Sequence, residues 1–103
     1  MSKYNIEITQ RAFSDIQECV LFVDNVSNEA AQELYEEIMT SISSLKDFPN
    51  ACPEIERLTI SGEKVRKLLI HRGRYYMIFK VKDDKVVVYD LIDSRKDSSL
   101  LKL

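Results

Sequence analysis

Residues 64–97, KVRKLLIHRGRYYMIFKVKDDKVVVYDLIDSRKD, decide the fold of this chain. Three runs within this stretch, 65–71, 75–81 and 86–92, are rich in β-branched and aromatic residues, which favour β-strands. Two short polar segments, RGR and KDDK, separate the runs and are typical of turns. The stretch therefore predicts a three-stranded meander.

The start of the chain predicts a further strand followed by two amphipathic helices. Alternating apolar residues over 4–8 are typical of a short strand, and Thr9 and Ser27 are suited to cap the helices. The helical stripes run to about Asp24 and then to Leu45. We expect all the apolar residues of both stripes in the core: Ala12, Phe13, Ile16, Cys19, Val20, Val23, Ala31, Leu34, Tyr35, Ile38, Ile42 and Leu45.

The predicted order of elements is β-α-α-β-β-β. The short break between the helices predicts an antiparallel helical hairpin, and residues 50–63, with both prolines and one of the two glycines, predict a long connection. We therefore expect an α+β fold in which the hairpin packs on a small, mainly antiparallel sheet. A chain of 103 residues forms one domain, residues 1–103.

Charge is distributed unevenly along the chain. The formal net charge is −2, but residues 1–63 carry 4 Lys and Arg against 12 Asp and Glu, whereas residues 64–103 carry 11 against 5. Such asymmetry favours a charged partner, either a polyanion or an acidic protein surface. The alternative is that the charges of the acidic helices and of the basic sheet pair with one another within the molecule.

Cysteine usage and hydropathy indicate a cytoplasmic protein. Cys19 and Cys52 lack metal-ligand spacing and are too few for a disulfide scaffold, which favours a reducing compartment. The chain has no apolar run of about 18 residues and no charged-then-apolar leader. We expect no membrane association, no metal and no cofactor.

His71 and the tyrosines are the residue types that could act on or bind RNA. His71 could transfer a proton near neutral pH, but no acid or second histidine lies at a recognisable spacing, so a strand-end role without chemistry competes. Tyr75, Tyr76 and Tyr89 could stack on bases or could pack on a face of the sheet.

Short motifs follow one another in a characteristic order: Leu45-Lys-Asp-Phe48-Pro49, Val65-Arg66-Lys67-Leu68, GRYYMIFKV over 73–81, and Arg95-Lys96-Asp97. Together with the order of elements, they resemble the RelE/ParE toxin superfamily over nearly the whole chain. The helix exit and the RKD ending resemble the ParE and plasmid-stabilisation branch more closely. The resemblance implies a toxin of a type II toxin–antitoxin module, neutralised by a small cognate antitoxin.

The two branches of this superfamily imply different mechanisms. RelE-like members cut mRNA on the ribosome, which requires cations at the scissile phosphate and a group that activates the 2′-hydroxyl. The resemblance places Lys67 at one catalytic lysine and Lys96 or Arg95 at a late arginine. Tyr76 stands where that branch has an arginine, and Leu69 where it has a second lysine.

Three hypotheses follow. The first is a ParE-like toxin that inhibits growth by binding DNA gyrase, without chemistry of its own. The second is a RelE-like ribosome-dependent mRNA endoribonuclease, with candidate catalytic residues Lys67, His71, Arg74, Arg95 and Lys96. The third is a non-toxic homologue that binds its antitoxin and takes part in operon control. For partner or nucleic-acid binding the candidates are Arg66, Arg72, Tyr75, Tyr76, Arg95 and Lys96.

Overall fold

A computed structural model describes residues 3–95 of the chain. The elements in chain order are β1 (Asn5–Ile8), α1 (Gln10–Asp24), α2 (Asn28–Ser44), a 3-10 turn (Pro49–Ala51), β2 (Glu54–Ile60), β3 (Glu63–Ile70), β4 (Tyr75–Lys82) and β5 (Lys85–Asp93). Neither helix in this part of the chain is long and apolar enough to cross a membrane.

The five strands form one sheet in the order β1-β5-β4-β3-β2. β1 lies parallel to β5, and the remaining neighbours are antiparallel. The predicted meander corresponds to β3, β4 and β5, and the α+β architecture with a helical hairpin on a mainly antiparallel sheet is confirmed.

The prediction of a connection without regular structure over residues 50–63 was wrong, because this segment contains β2. The register of β2 against β3 shifts between Ile55 and Thr59. Ile55 is fully buried, and Leu58 and Ile60, three and five residues further along, pack into the same cluster. Such an irregularity breaks the two-residue alternation by which a strand is recognised in sequence.

Both predicted helix caps are confirmed. The Thr9 hydroxyl accepts a hydrogen bond from the Ala12 N–H at 3.1 Å, and the Ser27 hydroxyl accepts one from the Ala30 N–H at 3.2 Å. Each bond satisfies an N–H that has no partner within the first helical turn and stabilises the fold by about 1 kcal/mol.

The main core lies between the hairpin and one face of the sheet. Ile38 of α2 is fully buried there together with Met77 and Phe79 of β4 and Val88 of β5. Burial of one such side chain stabilises the protein by about 1.5–3 kcal/mol. A smaller cluster on the opposite face is built from Ile55, Val65 and Ile78, with partly buried neighbours.

A pair of carboxyl groups joins α1 to β5. Asp90 of β5 lies beside Asp15 of α1, whose Oδ2 accepts the Leu91 N–H at 3.3 Å. Burial, a hydrogen bond with Asp15 and the negative charge of Asp15 raise the pKa of Asp90 to about 7, against the opposing effect of Arg11. The Arg11 Nε lies 3.4 Å from Asp90 Oδ2. Between about pH 4 and pH 7 Asp90 therefore holds a proton that an exposed aspartate would have released.

This pair predicts that stability falls as pH rises. A raised pKa in the folded state means that the folded protein binds the extra proton between about pH 4 and pH 7, so the free energy of unfolding decreases across that window. We expect Asp90→Asn to remove this loss and to stabilise the protein by about 1 kcal/mol at about pH 8, after allowance for solvent screening. Urea denaturation at several pH values measures the difference.

The matched control is Asp47→Asn, since Asp47 is exposed and its carboxylate makes no hydrogen bond or salt bridge within residues 3–95. It should leave the pH profile unchanged. Parallel profiles for the wild type and Asp90→Asn would contradict the shared-proton interpretation.

Candidate partner-binding surfaces

One end of the sheet gathers several of the predicted basic residues. The Ser94 N–H donates to the Arg74 carbonyl at 2.9 Å, and the Ser94 hydroxyl donates to the Gly73 carbonyl at 2.9 Å. These bonds hold the end of β5 against the turn between β3 and β4. Arg72, Arg74 and Arg95 therefore lie at the same end of the molecule, which we call the basic end.

The arginines of the basic end differ in how their charges are compensated. Arg95 donates to Asp93 from its backbone N–H at 2.9 Å and forms a salt bridge with it at 3.4 Å. Burial raises the pKa of Asp93, but these bonds from Arg95 more than offset it, so this pKa lies below its ordinary value. Arg72 and Arg74 are exposed, and within residues 3–95 their guanidinium groups make no hydrogen bond or salt bridge. Lys96 lies outside the described residues.

His71 has an acidic partner that the sequence did not reveal. Glu37 of α2 accepts a hydrogen bond from the His71 backbone N–H, and its second oxygen lies 3.2 Å from His71 Nδ1. His71 itself follows the end of β3 and lies in the turn. The two residues are 34 positions apart, and only the packing of α2 over β3 brings them together.

Lys67 and Tyr76 lie on the face of the sheet that the hairpin leaves uncovered. Leu68 and Ile70 of β3 pack into the core beneath the helices. Side chains alternate between the two faces along a strand, so Lys67 projects to the opposite face. The Lys67 Nζ lies 5.4 Å from the centre of the Tyr76 ring. The sheet therefore separates Lys67 from the Glu37–His71 pair.

Two further residues predicted to bind a partner, Arg66 and Tyr75, make contacts within the fold. Arg66 donates to the carbonyl of Cys52 and, at 3.2 Å, to that of Asn50, and its guanidinium lies 3.8 Å from Glu54. Arg66 thus holds the segment that follows α2. Tyr75 is only 4% exposed and belongs to the core under the helices, and burial raises its pKa. The prediction that Tyr75 stacks on a partner is therefore wrong, because its ring is not accessible.

The cysteines and acidic groups do not assemble a reactive centre. Cys19 and Cys52 are both partly buried, and burial raises the pKa of Cys52 despite the nearby Arg66 charge. A thiol with a raised pKa is a poor nucleophile. Within residues 3–95, no group of three His, Cys, Asp or Glu side chains is placed to hold a metal ion.

An apolar groove runs along the hairpin, and the prediction that Phe13 and Tyr35 lie in the core was wrong, because both line this groove. Phe13 and Tyr35 are each 49% exposed, and Leu21 is 63% exposed. The groove encloses a volume of about 340 Å³, and polar groups contribute little to its lining. Its lining residues are Ile8, Phe13, Ile16, Gln17, Val20, Leu21, Tyr35 and Met39.

The groove continues towards the end of the hairpin, where its lining becomes acidic. Val20, Leu21 and Tyr35 are shared with an adjoining depression that is also lined by Asp24 and Glu36. A long apolar channel with carboxylates at one end is suited to a partner that carries both apolar and basic side chains.

The width of the apolar stripe is the signal by which the sequence could have revealed this groove. A helix that packs on one sheet needs only a single apolar face. Ala12 and Ile16 provide that face in α1, and both are buried. Phe13 and Leu21 extend the apolar surface beyond it and remain exposed.

The exposure of the groove residues predicts a contrast in stability. We expect Phe13→Ser and Tyr35→Ser each to lower the free energy of unfolding by about 1 kcal/mol or less, since half of each side chain already contacts water. Ile38→Ala, at a fully buried position of the same hairpin, should cost about 2–5 kcal/mol. Chemical denaturation of the three variants measures this, and equal losses would place the groove residues in the core.

Comparison with known proteins identifies a family and solved structures of similar fold. The family model described as the ParE toxin of type II toxin–antitoxin systems, parDE, matches residues 6–98. The fold is similar to a solved structure described as the chromosomal ParDE TA system from P. aeruginosa, with a TM-score of 0.70 and 18% sequence identity. That alignment covers 88% of this chain and 96% of the other. No curated protein matches the sequence.

Proposed function

Because the chain belongs to the ParE toxin family of type II toxin–antitoxin systems, we propose that it inhibits growth by binding DNA gyrase and that a cognate antitoxin neutralises it. The main support within this chain is the separation of its candidate catalytic groups. Lys67 and the Glu37–His71 pair lie on opposite faces of the sheet. This arrangement favours action by binding rather than by bond cleavage.

The chemistry of RNA cleavage explains why this separation matters. A general base must lie within hydrogen-bond reach of the 2′-hydroxyl while cations contact the same scissile phosphate. His71 is bonded to Glu37 on the helix side, Lys67 lies over Tyr76 on the uncovered face, and Arg95 is paired with Asp93. Contact of Lys67 and His71 with one phosphate is disfavoured, because Lys67 lies on the uncovered face and His71 contacts the helix layer through Glu37.

The RelE-like alternative would have to use the uncovered face alone. Lys67 and Tyr76 could there contact a phosphate and stack on a base. This arrangement supplies a cation and an aromatic ring but lacks the histidine as proton acceptor. It therefore remains the second candidate.

The hairpin groove is the surface best suited to the antitoxin. An amphipathic helix can place apolar side chains at i, i+3 or i+4, and i+7 along such a channel. Basic side chains at one end of that helix would meet Asp24 and Glu36. Such a segment would fold as it binds, as small disordered partners commonly do.

A supercoiling assay with purified gyrase, ATP and plasmid tests the proposed target. We expect the wild-type protein to block supercoiling or trap cleaved DNA, and the antitoxin to relieve the effect. Because Lys67 is given no catalytic role, Lys67→Ala should retain activity within about threefold, equivalent to less than 1 kcal/mol.

Translation reactions with ribosome-bound mRNA provide the opposing readout. Cleavage of mRNA by the wild type that is abolished by Lys67→Ala, together with no effect on gyrase, would establish the RelE-like mechanism instead. No effect of the wild type in either assay or on growth would favour a non-toxic homologue.

Removal of two exposed side chains that line both the groove and the adjoining acidic depression should weaken antitoxin binding. We expect the double variant Leu21→Ser/Tyr35→Ser to lower affinity for the antitoxin about 100-fold, since two apolar anchors would be lost. Calorimetric titration measures the change. Activity of the free toxin should persist, but the antitoxin should no longer relieve it at equal concentration.

The control for the groove variant is Val26→Ser, because Val26 is 85% exposed in the connection between the helices and does not line the groove. Its affinity for the antitoxin should equal that of the wild type. An unchanged affinity for the double variant would exclude the groove as the antitoxin site.

A further inference from the structure

The turn between β3 and β4 adopts a backbone conformation that its residues do not favour. His71, Arg72 and Gly73 have φ values of 56°, 58° and 84°, all in the left-handed region. Glycine enters that region without steric cost, but His71 and Arg72 have side chains that disfavour it. Each non-glycine residue held there costs about 1 kcal/mol or more, so the turn is strained.

Contacts from the helix layer offset this strain. Glu37 accepts the backbone N–H of His71 with one carboxylate oxygen, while the other oxygen contacts the imidazole Nδ1 at 3.2 Å. A hydrogen bond from a backbone N–H to a charged acceptor is stronger than one between neutral groups. Glu37 therefore holds the first residue of the turn in its left-handed conformation.

The strained turn displays two arginines that form no salt bridge among residues 3–95, although the charge of Arg74 helps to lower the pKa of Asp93. Arg72 lies within it and Arg74 at its end, both are exposed, and neither guanidinium has a salt bridge or hydrogen bond among residues 3–95. The third arginine of the basic end, Arg95, is already paired with Asp93. Strain that is held in place by a distant element is a frequent property of binding sites.

We propose that the turn 71–74 is a docking surface for an acidic protein segment, with Glu37 as the positioning residue that keeps Arg72 and Arg74 in the binding arrangement. This inference rests on the proposed function in that the segment would belong to the toxin's target. An arginine side chain can bind a carboxylate through two parallel hydrogen bonds, and two neighbouring arginines can hold two carboxylates.

A protein segment fits this surface better than a nucleic acid does. Two free arginines can neutralise only about two phosphates, which gives weak binding to duplex DNA at physiological salt. The rest of the chain opposes a polyanion, since residues 1–63 carry 12 acidic against 4 basic side chains. A short acidic segment can contact the turn without extending along the acidic helices.

Binding of a fluorescent decaglutamate peptide to the full chain tests the surface independently of gyrase. We expect Arg72→Ala/Arg74→Ala to weaken binding about tenfold and Glu37→Ala to weaken it about threefold to tenfold. Glu37→Gln should bind within about twofold of the wild type, because its amide oxygen still accepts the His71 N–H. The two Glu37 variants remove the same charge, so their difference isolates the hydrogen bond.

Three further measurements complete the test. Glu33→Ala, at an exposed position of α2 whose carboxylate makes no hydrogen bond or salt bridge within residues 3–95, should bind like the wild type. Thermal unfolding establishes that each variant is folded at the assay temperature. Amide exchange at His71 should accelerate in Glu37→Ala and remain slow in Glu37→Gln.

Each contrary result removes a defined part of the proposal. Wild-type affinity for Arg72→Ala/Arg74→Ala, or no peptide binding by the wild type, would overturn the docking surface. Equal binding by Glu37→Ala and Glu37→Gln would overturn the positioning role, and tighter binding of duplex DNA than of the peptide would overturn the choice of partner. A chain that binds the peptide but does not inhibit gyrase would instead remove the proposed target.

Discussion

The core between the helical hairpin and one face of the sheet, to which β4 and β5 contribute fully buried side chains, is the contact on which the rest of the fold depends. Met77, Phe79 and Val88 are fully buried against a hairpin whose own inner residues, such as Ile38, are equally inaccessible. The hairpin covers one face of the sheet only. Its outward groove, the uncovered face and the ends of the strands therefore remain as surfaces for partners.

These surfaces are chemically distinct because different elements form them. The groove is apolar with Asp24 and Glu36 at one end, whereas the basic end carries Arg72 and Arg74 on a turn that no helix covers. A toxin must recognise both an inhibitor and a target, and separate surfaces allow each to evolve its own complementarity. α2 contributes to both, through Tyr35 at the groove and through Glu37 at the turn.

The sequence predicted the features that depend on local chemistry. The three strands of the meander and the caps at Thr9 and Ser27 follow from residue type and spacing. The missed features arise from tertiary structure: β2 contains a register shift that breaks alternation, and Glu37 meets His71 only through packing. Tyr75 was a candidate for stacking because of its residue type, with packing on the sheet as the alternative. Residue type does not determine whether a strand side chain is buried, and Tyr75 lies in the core.

The parallel pairing of β1 with β5 also bears on how the protein is synthesised. Residues of β1 leave the ribosome well before their partners in β5, residues 85–88, are made; Thr9 and the Tyr89 carbonyl that it binds are 80 positions apart. Contacts of such long sequence separation form slowly and only after the intervening chain exists. The nascent chain therefore exposes an incomplete sheet until β5 has been synthesised.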